Sequence, residues 1–93
     1  MNVGPWPRIL VLGRDTCEDT IRSRAHMDAG AIPYEYRNVE LDPDADALNR
    51  SYNGGIRVTP TILIGDPDAP ARVVAEPSDD ELDAAIREVA AAD

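Results

Sequence analysis

Two short apolar runs, residues 9–12 (Ile-Leu-Val-Leu) and residues 61–64 (Thr-Ile-Leu-Ile), constrain this chain more than any other feature. Each is too short for a helix and lacks polar alternation, so each suits a strand covered on both faces, as in a sheet packed between helices. The sequence between and after them supplies the helices. Gly13 closes the first run, and a helix is expected over residues 17–29, stopped by Gly30 as a left-handed C-terminal cap. Its apolar stripe is thin: Ile21, Ala25, Ala29 and Met27. Residues 34–41, entered from Pro33, mix aromatic and β-branched residues with polar ones and read as a second strand. Asp42-Pro43 pairs a capping acid with proline at the first helical position. Ala45, Leu48 and Tyr52 then fall on one face, and Asn53-Gly54-Gly55 ends that helix. Residues 72–75 form a weaker strand behind the loop 65–70, close enough to residues 61–64 for an antiparallel hairpin. Ser78-Asp79-Asp80-Glu81 is a capping box, and Leu82, Ala85, Ile86 and Val89 give the last helix a one-sided apolar stripe.

The order is β-α-β-α-β-β-α. Parallel strands need crossovers and the late hairpin does not, so an α/β fold with a mixed four-stranded sheet flanked by helices is expected. Residues 1–93 make a single domain with no repeat or linker. Residues 1–7, with two prolines around Trp6, form an extended arm that Trp6 packs onto the body.

Eighteen acidic residues against nine basic ones give a formal charge of −9. That charge repels nucleic acid and anionic membranes, so neither is expected as a partner. The first residues offer no signal peptide and no spanning helix, leaving a cytoplasmic location as the default, and a monomer is expected. One cysteine excludes an internal disulfide, and with a single histidine, His26, no metal site is expected. All basic residues are arginine and alanine is abundant, as in a G+C-rich coding sequence.

The lone cysteine sits where chemistry would want it. In Gly13-Arg14-Asp15-Thr16-Cys17-Glu18-Asp19-Thr20 it falls between a buried strand and the first turn of a helix. Unpaired N–H groups and the positive end of the helix dipole favour thiolate over thiol there, and the thiolate is the nucleophile. The alternative, an inert cysteine in the core, fits poorly with the polar flanks Arg14, Asp15, Glu18 and Asp19.

These residues, together with Asn53-Gly54-Gly55-Ile56-Arg57-Val58-Thr59-Pro60-Thr61 and Glu76-Pro77-Ser78-Asp79-Asp80, make the chain resemble the glutaredoxins of the thioredoxin-like fold, most closely the mycoredoxins. The resemblance covers nearly the whole chain. It implies a cis bond before Pro60, with the backbone of Thr59 offered to the substrate's thiol peptide. Thr59 and Pro60 would form one wall of a groove, and Ser78 and Asp79 would hold a polar end of a small thiol. Most relatives carry Cys-x-x-Cys; here Thr20 stands at the resolving position. A hydroxyl cannot form the disulfide, so what remains is a monothiol route, with mycothiol or glutathione as co-substrate and protein mixed disulfides as partners.

On this reading Cys17 is the nucleophile and Arg14 adds positive field. Glu18 and Asp19 oppose it, and a thiol less acidic than is usual in the family is expected. His26, nine residues along the helix, would lie on roughly the opposite face and about 13 Å up the axis, too far to act as base. Tyr34, Tyr36 and Tyr52 are expected in core and rim packing. Two other functions fit the same residues: a binding module that has lost the reaction, and, less well given the acids beside Cys17, an iron–sulfur cluster carrier.

Overall fold

The computed structural model describes residues 5–92; most of the expected N-terminal arm therefore lies outside the described residues. The chain order is β1 (Ile9–Gly13), α1 (Glu18–Ala29), β2 (Glu35–Asn38), α2 (Pro43–Ser51), β3 (Thr61–Asp66), β4 (Ala69–Ala75) and α3 (Asp79–Ala92). The sheet runs β2-β1-β3-β4, with β1 parallel to β2 and antiparallel to β3, and β3 antiparallel to β4. This is the mixed four-stranded sheet that the sequence implies.

The two apolar runs are its centre, and the period-two geometry of a strand divides their side chains between two layers. Ile9, Val11, Ile62 and Ile64 face one way and pack with Met27 of α1 and with Leu82, Ala85, Ile86 and Val89 of α3. Leu10, Leu12 and Leu63 face the other way, against Val39 and Ala45, with Leu48 at the margin. Continuous hydrophobicity was needed because both faces are covered. Trp6 packs on the α1–α3 side, as expected of it.

Several local expectations are corrected. In α1 the buried residues are Thr20, Ser23 and Met27, while Ile21 is 52% exposed and Ala25 and Ala29 face outward. The start of the inward face uses a small polar side chain because α1 lies close to β1 there, while Met27 further along reaches the core. A Cβ added to Gly13 would come within 2.6 Å of the Thr20 side chain. Gly30 has φ −88° and is not the left-handed cap; Ala31, at φ 54°, takes that conformation. The second strand is only four residues long, and Val39 turns into the lower core beyond it. The β3–β4 strands extend into the expected loop, leaving Pro67 and Asp68 as the turn. Tyr52 is the C-cap residue of α2 and is 38% exposed, so it contributes little to the core.

Two caps read from sequence are present. The Asp42 carboxylate accepts from the N–H groups of Asp44 and Ala45, both at 3.1 Å. The Ser78 hydroxyl accepts from the Glu81 N–H at 3.1 Å, and Glu81 accepts from the Ser78 N–H at 2.8 Å.

Candidate functional site

β1 delivers the chain to the edge of the sheet, and residues 14–17 turn it into α1, with the Cys17 N–H bonded to the Arg14 carbonyl at 3.2 Å. Cys17 is the N-cap residue itself: its backbone is extended (φ −83°, ψ 121°), its carbonyl accepts from Ile21 N–H at 2.9 Å, and its side chain makes no cap bond as a thiol. Cys17 is partly exposed. Cys17 therefore takes the place that Ser or Asp usually fills, with the first-turn N–H groups open to an anion there.

β1 and β3 are antiparallel, with Leu12 opposite Thr61, so the start of β3 arrives at the same edge of the sheet as Cys17. The Thr59–Pro60 bond immediately before it is cis. Cys17 Sγ lies 3.4 Å from the Thr59 carbonyl oxygen and donates to it as the thiol. Arg14 Nε donates to the Thr59 hydroxyl at 3.3 Å. Residues 42 positions apart in sequence thus meet at one sulfur.

The electrostatics of the thiol balance several opposed effects. Burial pushes its pKa up. Against that, the thiolate can accept from the Thr59 hydroxyl, from the N–H and hydroxyl of Thr20 and from the Asp19 N–H, and together these bring the pKa below the ordinary thiol value. The carboxylates of Glu18 and Asp19 are not among these causes, and Asp19 is engaged by Arg22 at 2.8 Å. Thr20 is fully buried, one turn deeper than the thiol, where its hydroxyl accepts a long bond from the Arg14 N–H at 3.4 Å.

A second layer, hardly legible in the sequence, holds the Thr59–Pro60 segment. Asn49 of α2 is fully buried, accepting from the Val58 N–H at 2.9 Å and donating to the Val58 carbonyl at 2.7 Å. Thr61 donates to that same carbonyl at 2.8 Å, and Asn53 donates to the Thr61 hydroxyl at 3.0 Å. Arg57 is clamped to Asp46 at 2.8 Å. Gly54 and Gly55, with φ of 66° and 89°, turn the chain back for these bonds to form. The one available signal was Asn49 itself, a polar residue four positions after the buried Ala45 on the same helix face.

Ser78 and Asp79 lie at the end of a segment fastened beside the site. The Glu76 N–H bonds to the Pro60 carbonyl at 2.8 Å, and Arg22 of α1 donates to the Pro77 carbonyl at 3.1 Å. The Ser78 hydroxyl and N–H are both used by the capping box. One Asp79 oxygen lies 3.6 Å from His26 Nδ1, and the other is enclosed without a partner. Cys17, Thr20, Arg14, Thr59 and Pro60 are thus brought together, while the side chains of Ser78 and Asp79 are occupied by α3 and His26.

His26 joins α1 to α3, with Nε2 2.8 Å from Asp83. It is half-buried there. The bond to Asp83 raises its pKa against the opposing effect of burial, helped by the charges of Asp83, Asp79 and Asp80. Tyr36 lies under the Arg24 guanidinium, 3.8 Å from ring centroid to Cζ, and donates to Asp15 at 2.7 Å. Burial first and that bond second push its pKa up to about 12. Two surface cavities, of about 330 Å³ bounded by Arg72, Val74 and Glu81 and about 460 Å³ bounded by Trp6, Ile32 and Ile86, do not include Cys17. Among the described residues, no three His, Cys, Asp or Glu side chains gather to hold a metal ion, and no helix is long and apolar enough to cross a membrane.

Sheet order, crossover and cis bond define a thioredoxin-like fold of the glutaredoxin kind. Among solved structures, the chain is similar to a glutaredoxin from Brucella melitensis, with a TM-score of 0.61 at 20% identity over 94% of this chain and 86% of that one. It is also similar to a structure described as a malarial protein, with a TM-score of 0.56 at 20% identity over 87% of this chain and 93% of that one. No family model matches the sequence, and no curated protein matches it. At this identity the likeness establishes the fold.

Proposed function

We propose that the protein is a monothiol thiol–disulfide oxidoreductase of the glutaredoxin and mycoredoxin type, acting on mixed disulfides between proteins and a low-molecular-weight thiol. The Cys17 thiolate attacks the small-thiol sulfur of the mixed disulfide. A new disulfide forms between Cys17 and the small thiol, and the protein thiolate leaves and takes a proton from solvent. A second small thiol, as thiolate, then attacks the sulfur of the adduct, releasing the small-thiol disulfide and the Cys17 thiolate. One free small thiol is consumed per turnover and leaves joined to the small thiol carried by the adduct, so no second cysteine is required.

The observation that carries this reading is the placement of the partly exposed Cys17 at the N-cap of α1, its Sγ 3.4 Å from the backbone of Thr59 and beside Pro60. In this role Thr59 and Pro60 orient the disulfide, Arg14 and the first-turn N–H groups favour the thiolate, and Thr20 fills the resolving position without reacting. The N–H groups opening α3, next to Ser78 and Asp79, would receive a carboxylate of the small thiol, as helix N-termini do. Mycothiol is favoured over glutathione by the resemblance to mycoredoxins and by the arginine-only, alanine-rich composition. The reading carries with it a cytoplasmic monomer that binds no nucleic acid, membrane, metal or resident cofactor.

The test is turnover of a protein–small-thiol mixed disulfide, with glutathione and mycothiol in parallel. Turnover by the wild type and none by Cys17→Ser supports the proposal. Indistinguishable wild type and variant would leave a binding module on a redox fold, and a visible absorption band after anaerobic reconstitution with iron and sulfide would favour a cluster carrier.

A further inference from the structure

Thr59 presents two groups to one sulfur. Its carbonyl receives the Cys17 thiol at 3.4 Å, and its hydroxyl oxygen receives Arg14 Nε at 3.3 Å. A hydroxyl has two lone pairs and one proton, whereas a guanidinium can only donate. With one lone pair occupied by Arg14, the Thr59 proton must find an acceptor elsewhere. Thr59 is only 6% exposed, so water is a poor candidate.

We infer that the Thr59 hydroxyl is the side-chain donor to the Cys17 thiolate, and that Arg14 is the positioning residue that turns it toward the sulfur. While Cys17 is protonated, its S–H is satisfied by the Thr59 carbonyl. On ionisation the proton leaves to solvent, the carbonyl faces an anion it cannot serve, and the hydroxyl a few bonds away takes over. The residue before Pro60 therefore exchanges one hydrogen bond for another as the sulfur changes charge. The lowering of the thiol pKa by the Thr59 side chain agrees with this arrangement.

Other charged groups also surround the sulfur. Arg14 and Asp15 lie in the loop before α1, Glu18 and Asp19 in its first turn, Arg22 one turn on, and Glu76 beside Pro60. Asp19 and Arg22 pair with each other at 2.8 Å. That leaves Arg14 as the cation bonded to a residue that touches the sulfur.

The inference concerns the same sulfur as the proposed redox chemistry and rests on that reading only for its use in the cell. Its test reads ionisation rather than turnover, so the two fail separately. The rate of alkylation by iodoacetamide is followed against pH for the wild type, Thr59→Val, Thr59→Ser, Arg14→Gln, Arg14→Lys and the double variant Thr59→Val/Arg14→Gln. Thr59→Val should move the inflection to higher pH and slow alkylation near neutrality roughly tenfold, as expected for losing one hydrogen bond to a charged group. Thr59→Ser should restore it, and Thr59→Ala serves in place of Val if that variant does not fold. Arg14→Gln should move the inflection upward when Thr59 is present and by clearly less when it is Val. Arg14→Lys, which keeps the charge but not the planar donor, should fall between wild type and Gln. An unchanged inflection in Thr59→Val would show that the hydroxyl is not the donor. Equal shifts from Arg14→Gln in both backgrounds would show that Arg14 acts through charge alone; either result overturns the inference.

Discussion

Replacing Asn49 by leucine isolates what holds the Thr59–Pro60 segment in place. Leucine has the same number and branching of side-chain heavy atoms and keeps the helix, but it removes an acceptor from the Val58 N–H and a donor from the Val58 carbonyl. The two losses are unequal. The carbonyl retains the Thr61 hydroxyl at 2.8 Å, so its loss amounts to one ordinary hydrogen bond, about 1 kcal/mol. Among the described residues the N–H has no other partner and is left unsatisfied, costing about 1–3 kcal/mol, toward the lower end because Val58 is partly exposed. The sum is a destabilisation of about 2–3 kcal/mol, or roughly 10–20 °C in Tm for a domain of this size. Urea unfolding followed by circular dichroism measures it, with the slope unchanged if only the native state is affected. Because Val58 adjoins Thr59, alkylation of Cys17 in folded Asn49→Leu should also change. Ile86→Ala, a core truncation further along α3 from Ser78 and expected to cost about 2–5 kcal/mol, should leave that rate as it is. A loss below about 0.5 kcal/mol in Asn49→Leu, or equal alkylation in both variants, would refute the account of how the segment is held.

Three further outcomes follow from the geometry. Thr20→Cys places a second sulfur where the Thr20 hydroxyl reaches the Cys17 sulfur, closer than two positions inside a helix would be because Cys17 is the extended N-cap residue, and mild oxidation should join them within one chain. Intact mass after oxidation reads the loss of two hydrogens, and two persisting thiols would contradict the spacing. For His26, a raised pKa means that the α1–α3 tie is fully present below the unfolded value of about 6.5 and fades as pH rises through the folded value. The stability gap between wild type and His26→Gln in urea should therefore be largest in mild acid and shrink toward alkaline pH; a gap that widens with pH would be the wrong sign. Glu18→Lys should shift the alkylation inflection to lower pH, with a gain of about two- to fivefold at neutrality that salt diminishes. Asp19→Lys should do less for the thiol, since Arg22 already pairs with Asp19.

The sheet was legible because its central strands are covered on both faces and so carry unbroken hydrophobicity, and α3 because its capping box and stripe agree. The face of α1 is not legible from apolar spacing, because close approach to Gly13 admits a small side chain at Thr20, and Ser23 follows it one turn on into the interior. Ile21 was consequently assigned to the wrong side. Cys17 at the helix start could be read from the strand-to-helix junction. Its meeting with Thr59 could not, because pairing of β1 with β3 is a tertiary event and spacing alone says nothing about it. Asn49 was passed over since a polar residue in a helix is usually solvated, and only the Val58 backbone reveals what it serves.

The most direct measurement is intact-mass spectrometry after incubation with the disulfide of glutathione and, separately, of mycothiol. A single small-thiol adduct on the wild type, absent from Cys17→Ser and removed by excess of the free thiol, is the result expected of a reactive sulfur at the N-cap of α1. No adduct with either disulfide, at a pH where the denatured chain is readily modified, would contradict it.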